Sequence, residues 1–235
     1  MNLLLFDDTD LISQGLLKVQ GRRARHIIDV HRSKLGDTVR VGKIGSDMGS
    51  GLITKLDSDS VEISFTLTTP PPAKLPLTLF LALPRPKFLS KCLQTATTLG
   101  VSRIVLMNAY KVEKVYWSCE QISLSSVRES CLLGLEQARD TVLPEVIERR
   151  LFKPFVEDEL SGMITGTTAY VAHPGAKLSC PYRQEGAISL AIGPEGGFID
   201  YEVEKLVEAG FTSVGLTERI LKVETAITAL ISRLV

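Results

Sequence analysis

Length, composition and charge place this chain among ordinary globular proteins. Its 235 residues are enough for one large or two smaller domains, and the hydrophobic content of 44% suffices for a buried core. Basic and acidic residues balance at 27 each, so overall charge does not indicate nucleic-acid binding.

Three further classes are excluded or disfavoured by the sequence. No apolar run is long enough to cross a membrane, and the opening segment reaches Asp7 and Asp8 too early for a secretory signal. We therefore expect a cytoplasmic protein. The four cysteines are widely spaced without a CxxC pair, so we expect reduced thiols, no disulfide framework and no metal site.

Residues 1–70 predict a small β-domain carrying one helix. Alternating apolar residues predict strands at 39–42, 51–56 and 61–65, and apolar residues at helical spacing predict a helix within 22–33. The stretch from Lys18 to Lys43 contains eight cations and only two acids. Such a basic stripe suits phosphate contact, although a solvated face would look the same.

A proline-rich segment at residues 71–76 predicts a stiff linker, and the pattern changes after it. Residues 77–235 alternate strands with helices, which is typical of a parallel sheet covered on both faces. The predicted strands lie at 77–83, 103–107, just after Pro144, 169–172, 188–192 and 213–217, and the helices at 86–99, 124–139, 201–209 and 224–234.

A glycine-rich loop follows the strand at 188–192. Gly193, Gly196 and Gly197 would let a ligand approach the backbone closely, because no Cβ intervenes. The spacing matches neither the dinucleotide fingerprint nor the phosphate loop, and Glu195 would repel phosphates. An ordinary strand-to-helix turn is the alternative interpretation. Because parallel strands end at one edge, the loops 173–175, 193–197 and 216–223 should converge there.

Two motifs at the carboxyl end carry a resemblance to a known family. Ile192-Gly-Pro-Glu-Gly-Gly-Phe198, followed by Leu216-Thr-Glu-Arg-Ile-Leu-Lys-Val-Glu-Thr-Ala226, resembles the RsmE-type ribosomal RNA uridine-N3 methyltransferases of the SPOUT superfamily. The stretches 83–101 and 136–146 are similar to the same family. The chain departs from the family pattern at Thr98, at 138–140, where the family often has Ser-Gly-Arg, at 217–218, and at Lys222, where it often has arginine.

The resemblance implies an α/β architecture in two domains. Residues 77–235 would form a SPOUT-type domain whose chain passes through a deep trefoil knot, and residues 1–70 a small PUA-like, RNA-binding β-barrel. It also implies a homodimer with the last helix at its interface, and ribosomal RNA of the small subunit as the substrate. A membrane partner is not expected.

The resemblance further implies S-adenosylmethionine as the cofactor and assigns residues to three roles. Cofactor contacts are expected from Ala172, His173, Pro174, Ile192, Gly193, Pro194, Glu195, Gly196, Gly197, Leu216, Arg219, Ile220, Leu221 and Val223. The candidate catalytic residues are Arg219, Lys222 and Glu224, with the cations stabilising a uridylate anion and Glu224 accepting a proton or orienting a cation. RNA contacts are expected from Arg22, Arg23, Arg25, Arg32, Arg85, Lys87 and Lys91.

Other interpretations of the residues stay open at this stage. Arg219 and Glu224 could form an ion pair or cap at a helix start. The chain could be an RNA-binding protein without activity, or a methyltransferase acting on a different RNA position. The glycine loop could also serve another adenine nucleotide in a small-molecule enzyme.

Overall fold

The computed structural model describes residues 2–235, which form two compact units. The first unit runs to Ala73 and includes Leu132–Leu143; the second comprises Lys74–Cys131 and Pro144–Val235. The boundary falls within the predicted linker, but the return of residues 132–143 to the first unit was not predicted, because it depends on tertiary contacts.

The first unit contains a six-stranded sheet. The strands are β1 (Leu4–Phe6), β2 (Leu11–Ser13), β3 (Leu16–Gln20), β4 (Thr38–Lys43), β5 (Met48–Leu56) and β6 (Ser60–Thr69). Their order in the sheet is β1-β4-β5-β6-β3-β2, with β1 and β4 parallel and the other pairs antiparallel. Strands β4, β5 and β6 confirm the predicted ones, whereas β1, β2 and β3 were not predicted as separate strands.

The predicted helix of the first unit is confirmed, and its geometry changes along its length. Helix α1 (Gly21–Arg25) continues as a π-helical stretch at His26–Val30. Ala24 and Ile27 are buried in the core of the sheet, as their helical spacing predicted. The stretch is followed by Arg32 at φ 53°, in the left-handed region.

The second unit contains a seven-stranded sheet in which every pair is parallel, as predicted. Its order is β11-β13-β10-β12-β7-β8-β9. The strands are β7 (Leu75–Ala82), β8 (Val101–Met107), β9 (Glu145–Arg149), β10 (Thr168–Ala172), β11 (Leu178–Ser179), β12 (Ile188–Ile192) and β13 (Thr212–Gly215).

Two residues assigned to the linker belong to the first of these strands. Leu75 and Pro76 begin β7, although proline cannot donate to a ladder. The pairing of β7 with β8 is irregular between Leu75 and Thr78, so the missing N–H of Pro76 falls where regular pairing is interrupted.

Six helices complete the secondary structure of the two units. They are α2 (Pro86–Thr98), α3 (Leu124–Ala138), α4 (Phe152–Pro154), α5 (Leu160–Ile164), α6 (Asp200–Glu208) and α7 (Val223–Leu234). A π-helical stretch, Phe155–Glu159, joins α4 to α5, and short 3-10 turns lie at Asp8–Asp10, Lys114–Ser118 and Glu120–Ile122. The segment from α4 to α5 was not predicted.

Helix α7 packs against α2 and β12 of its own unit. Its apolar residues Ile227, Leu230, Ile231 and Leu234 are at most 2% exposed. These four residues form an apolar stripe on the helix that the resemblance places at a dimer interface, and the stripe is buried within one chain.

The residue after α3 has an unusual backbone. Arg139 adopts φ 57°, a left-handed conformation that favours glycine at the end of a helix. The next residue, Asp140, is buried and accepts a hydrogen bond from the N–H of Val142 at 3.0 Å.

Candidate functional site

Three loops leave the parallel sheet at the same level. Ala172 at the end of β10 pairs in register with Ile192 at the end of β12, and with Val214 in β13. The segments that follow these strands therefore begin side by side. This confirms the predicted convergence of the loops at 173–175, 193–197 and 216–223.

The loops surround a cavity of ≈ 520 Å³, a volume typical of small-molecule sites. Every residue predicted to contact a cofactor lines this cavity: Ala172, His173, Pro174, Ile192, Gly193, Pro194, Glu195, Gly196, Gly197, Leu216, Arg219, Ile220, Leu221 and Val223. The sequence did not predict the other lining residues, which are Lys111, Phe198, Ile199, Asp200, Val214, Thr217, Ala226 and Leu230.

Close packing requires glycine at one position of the loop after β12. A Cβ on Gly193 would lie 2.8 Å from the backbone nitrogen of Phe198, which cannot move aside as a flexible side chain would. A Cβ on Gly196 would lie 2.7 Å from Cδ of Lys111, so that flexible side chain would have to shift. The loop therefore keeps bare backbone at Gly193 because a larger residue does not fit there.

Lys111 reaches the cavity from the loop after β8. Its Nζ donates a hydrogen bond to the carbonyl oxygen of Gly196 at 2.6 Å. Since β8 is parallel to β7 and ends at Met107, its loop emerges at the same edge of the sheet. The convergence rule that found the other loops would have found this one, had it been applied to β8.

A buried acid connects the same two segments. Glu202, 2% exposed, accepts hydrogen bonds from the backbone N–H of Tyr110 at 2.6 Å and of Ile199 at 3.0 Å. The first bond fixes the loop after β8, and the second fixes the start of α6. Glu202 therefore links the loop that carries Lys111 to the start of α6, which directly follows the glycine loop.

Glu195 has a structural partner as well as a place on the cavity wall. Its carboxylate accepts the backbone N–H of Arg85 at 3.0 and 3.3 Å, at the residue that precedes α2. A carboxylate at this end of a helix satisfies an unpaired donor and complements the helix dipole.

The three candidate catalytic residues are not all at the cavity. Arg219 lines it and is exposed, and its backbone N–H donates to the hydroxyl of Thr217 at 3.2 Å. Lys222 is exposed at the N-cap of α7, and Glu224 is buried in the first turn of that helix. Neither of the latter two lines the cavity.

Glu224 pairs with a lysine of α2 instead. Lys91 Nζ lies 3.7 Å from its carboxylate. Beside this pair, burial raises the pKa of the Cys92 thiol to about 12, with further contributions from Glu224 and Glu195. Cys92 therefore stays protonated at neutral pH and is excluded as a nucleophile.

One buried polar atom at the cavity has no protein partner. Within residues 2–235, Nδ1 of His173 is shielded from solvent and makes no hydrogen bond. A buried unpaired nitrogen costs free energy, which a ligand with a complementary group would recover.

The residues predicted to contact RNA lie in both units, and some of them already form ion pairs with acidic side chains. In the first unit, Arg22 forms a two-pronged ion pair with Glu136 at 2.8 and 2.9 Å, and Arg23 forms one with Asp10 at 2.6 and 2.7 Å. Two further candidates of that unit, Arg25 and Arg32, are exposed; in the second unit, so are Arg85, Lys87 and Lys91.

Two kinds of site are absent from the part of the chain that the structure describes. None of its helices combines the length and apolar character needed to span a bilayer. No group of three or more histidine, cysteine, aspartate or glutamate side chains is arranged to hold a metal ion.

Comparison with known proteins assigns the family. The family model of the RNA methyltransferase domain matches residues 71–235, which include the whole parallel sheet and the cavity. The chain belongs to this family. Its RNA methyltransferase domain thus contains the whole second unit, together with residues 71–73 and 132–143 of the first.

Curated relatives and solved structures agree with this assignment and with the RsmE-type resemblance. The chain is 23% identical over 97% of its length to ribosomal RNA small subunit methyltransferase E 2 of Borreliella burgdorferi, covering 93% of that protein. Among solved structures it is similar to a putative methyltransferase of Legionella pneumophila with bound SAM (S-adenosylmethionine), at TM-score 0.79 and 20% identity, covering 98% of this chain and 95% of that one.

A second similar solved structure is a ribosomal RNA small subunit methyltransferase E, the class that the sequence motifs resemble. The ribosomal RNA small subunit methyltransferase E of Neisseria gonorrhoeae, bound to S-adenosylmethionine, matches at TM-score 0.72 and 23% identity, covering 97% of this chain and 95% of that one. At these identities the two structures establish a shared fold.

Proposed function

We propose that this RNA methyltransferase uses S-adenosylmethionine to methylate N3 of a uridine in small-subunit ribosomal RNA. The observation that carries the proposal is the cavity at the ends of β10, β12 and β13, where every residue expected to contact the cofactor lies on one wall or another. The names of the relatives support ribosomal RNA of the small subunit as the substrate, and the RsmE resemblance supports the position of methylation.

The cavity fits a nucleoside-containing cofactor on three grounds. Backbone at Gly193 and Gly196 is open to close approach because neither residue carries a Cβ, and at Gly193 a Cβ would meet the backbone of Phe198. The walls include the apolar side chains of Leu216 and Leu221. The unpaired Nδ1 of His173 supplies a polar group without a protein partner.

The protein's own residues have to position the uridine and stabilise its anion. When bound, S-adenosylmethionine supplies an electrophilic methyl group. Alignment of the two reactants can contribute on the order of 7–11 kcal/mol to lowering the barrier. Of the two candidate catalytic cations, Arg219 lines the cavity and Lys222 does not. We therefore assign the stabilisation of the uridylate to Arg219.

Lys222 and Glu224 take supporting roles in this proposal. Lys222 precedes α7 and is exposed, so it adds positive potential near Arg219 without lining the cavity. Glu224 holds Lys91 by their ion pair and thereby orients a cation expected to contact RNA.

We also propose the finer architecture implied by the resemblance. The second unit would contain a deep trefoil knot, the first unit would close into a PUA-like barrel, and the protein would act as a homodimer in the cytoplasm. Since the apolar stripe of α7 is buried in its own unit, the dimer proposal now rests on the resemblance, and light scattering tests it.

Two measurements on the purified protein test the function. Calorimetry with S-adenosylmethionine should detect binding, and ATP should not compete for the same site. Methyl transfer to small-subunit RNA isolated from cells lacking this gene should yield N3-methyluridine in nucleosides analysed by mass spectrometry. A methylated nucleoside other than N3-methyluridine would indicate a different RNA position, and binding without transfer would indicate an inactive binder. Absence of binding would refute the proposal.

Arg219→Ala separates its assigned role from cofactor retention. We expect a large loss of methyl transfer with a smaller change in cofactor affinity, because the anion develops only during the reaction. Arg219→Lys is the control that keeps the charge but loses the planar guanidinium. Unchanged transfer by Arg219→Ala would remove this residue from the mechanism.

A further inference from the structure

Tyr110 is an exposed aromatic residue beside the cavity. Its exposed fraction is 78%, so the ring leaves most of its large apolar surface in contact with solvent. Among residues 2–235 its ring has no aromatic or cationic stacking neighbour. Packing within the unit therefore does not account for the ring.

The backbone that carries this ring is held in place. The N–H of Tyr110 donates to the buried carboxylate of Glu202 at 2.6 Å, and the adjacent Lys111 bonds to the Gly196 carbonyl at 2.6 Å. The ring thus stands on a segment anchored at two consecutive residues. Such anchoring lowers the entropy lost when a ligand stacks on the ring.

The surroundings of the ring suit a nucleic acid. Lys111 lines the cavity, and Lys114 is exposed a few residues further along the same segment. Exposed cations on the same segment as an exposed aromatic ring combine phosphate attraction with a stacking surface. Because Lys111 forms part of the cavity wall, a base on Tyr110 would lie at the edge of the proposed cofactor site.

We propose that Tyr110 stacks on a base of the RNA substrate at this edge of the cavity and so positions the nucleotide to be methylated. The inference rests on the proposed function for its RNA substrate. It adds a positioning residue that neither the family motifs nor the cofactor contacts include.

Matched substitutions test the stacking role. Tyr110→Phe keeps the ring, Tyr110→Leu keeps apolar bulk without an aromatic face, and Tyr182→Leu removes another exposed tyrosine that does not line the cavity. Loss of one stacked base corresponds to about 5- to 150-fold in affinity. We therefore expect Tyr110→Leu to raise KM for small-subunit RNA by a factor in that range, with Tyr110→Phe and Tyr182→Leu close to the unaltered protein.

Two further readouts separate this inference from the proposed function. The dissociation constant for S-adenosylmethionine should be the same in all variants, because Tyr110 does not line the cavity. Anisotropy of a short fluorescein-labelled oligouridylate should show the same order of affinities even where no methyl transfer occurs, so loss of the enzyme assay does not remove the test.

Three outcomes would overturn the inference. RNA binding and KM of Tyr110→Leu could equal those of the unaltered protein. Tyr110→Phe could lose as much as Tyr110→Leu, which would assign the effect to the hydroxyl. Light scattering could instead show that Tyr110→Leu changes the oligomeric state, which would assign the exposed ring to a protein interface.

Discussion

Replacing Gly193 by alanine tests whether bare backbone in the glycine loop is a steric requirement. The added Cβ would lie 2.8 Å from the Phe198 nitrogen and 3.1 Å from both the Cα and the carbonyl carbon of Gly197. All three are backbone atoms of the same loop, so relief requires the loop itself to move. Overpacking of this kind costs about 1–3 kcal/mol.

The expected result has a thermal and a functional part. For a chain of this size, about 1–3 kcal/mol lowers the melting temperature by roughly 2–12 °C. The displaced loop also forms the cavity wall, and misplacement by about 1 Å can reduce catalysis on the order of 100-fold. Differential scanning calorimetry measures the thermal part, and calorimetric titration with S-adenosylmethionine together with a methyl-transfer assay measures the functional part.

Gly162→Ala is the matched control for this substitution. Gly162 lies in α5, is exposed, and a Cβ there would meet nothing within 4 Å. The control should keep full cofactor affinity and gain about 0.5–1 kcal/mol, because alanine is the better helix former. If Gly193→Ala matched the control in both melting temperature and affinity, the steric argument for the glycine loop would be refuted.

Three further predictions concern a hydrogen bond, an ion pair and a strained backbone position. Lys111→Met removes the hydrogen bond to the loop carbonyl but keeps the length of the side chain, so cofactor affinity should fall by about 2- to 10-fold in calorimetry; unchanged affinity would show that the bond does not order the cavity. Arg22→Ala should lower the free energy of unfolding, measured with urea, by about 1–3 kcal/mol because it leaves Glu136 buried and unpaired. Arg25→Ala should leave that free energy unchanged and weaken RNA binding. Equal stability of the two variants would contradict this. Arg139→Gly should raise the free energy of unfolding by about 1 kcal/mol, since its φ of 57° strains any residue with a Cβ; a loss of stability would show that the arginine side chain outweighs the strain.

The cavity loops were predictable because their signals are local. Each apolar strand ends at a short polar or glycine-containing segment, and the parallel arrangement follows from alternating strands and helices. The register between Ala172, Ile192 and Val214 then brings the loops together without further information. Local pattern and one topological rule were sufficient for this part of the site.

Other features depended on contacts between distant residues. The ion pairs of Arg22 and Arg23 could not be foreseen, because Glu136 is remote in sequence and Asp10 belongs to a short turn. The sequence therefore shows how many cations the basic stripe contains, but not which of them are paired with acidic side chains. Likewise, the resemblance implies a dimer interface at the last helix, and only the packing of α7 on α2 shows that its apolar residues are buried in their own unit.

The glycine at 139 in the family pattern acquires a physical meaning from the structure. The resemblance places glycine where this chain has Arg139, and the backbone there is left-handed. The departure therefore costs stability at the end of α3, at a position outside the cavity wall. The consequence of having arginine instead of glycine at position 139 is therefore backbone strain, which the sequence alone does not show.

The pairing of β7 with β12 affects the order in which the protein can mature during synthesis. Leu77 pairs with Ile188, and the cavity wall extends as far as Leu230 in α7. A ribosome must therefore translate nearly the whole chain before the pocket has all its walls, and long-range parallel pairing is intrinsically slow. Nascent chains stalled before α7 should accordingly fail to retain the methyl donor, however well their amino-terminal portion has folded.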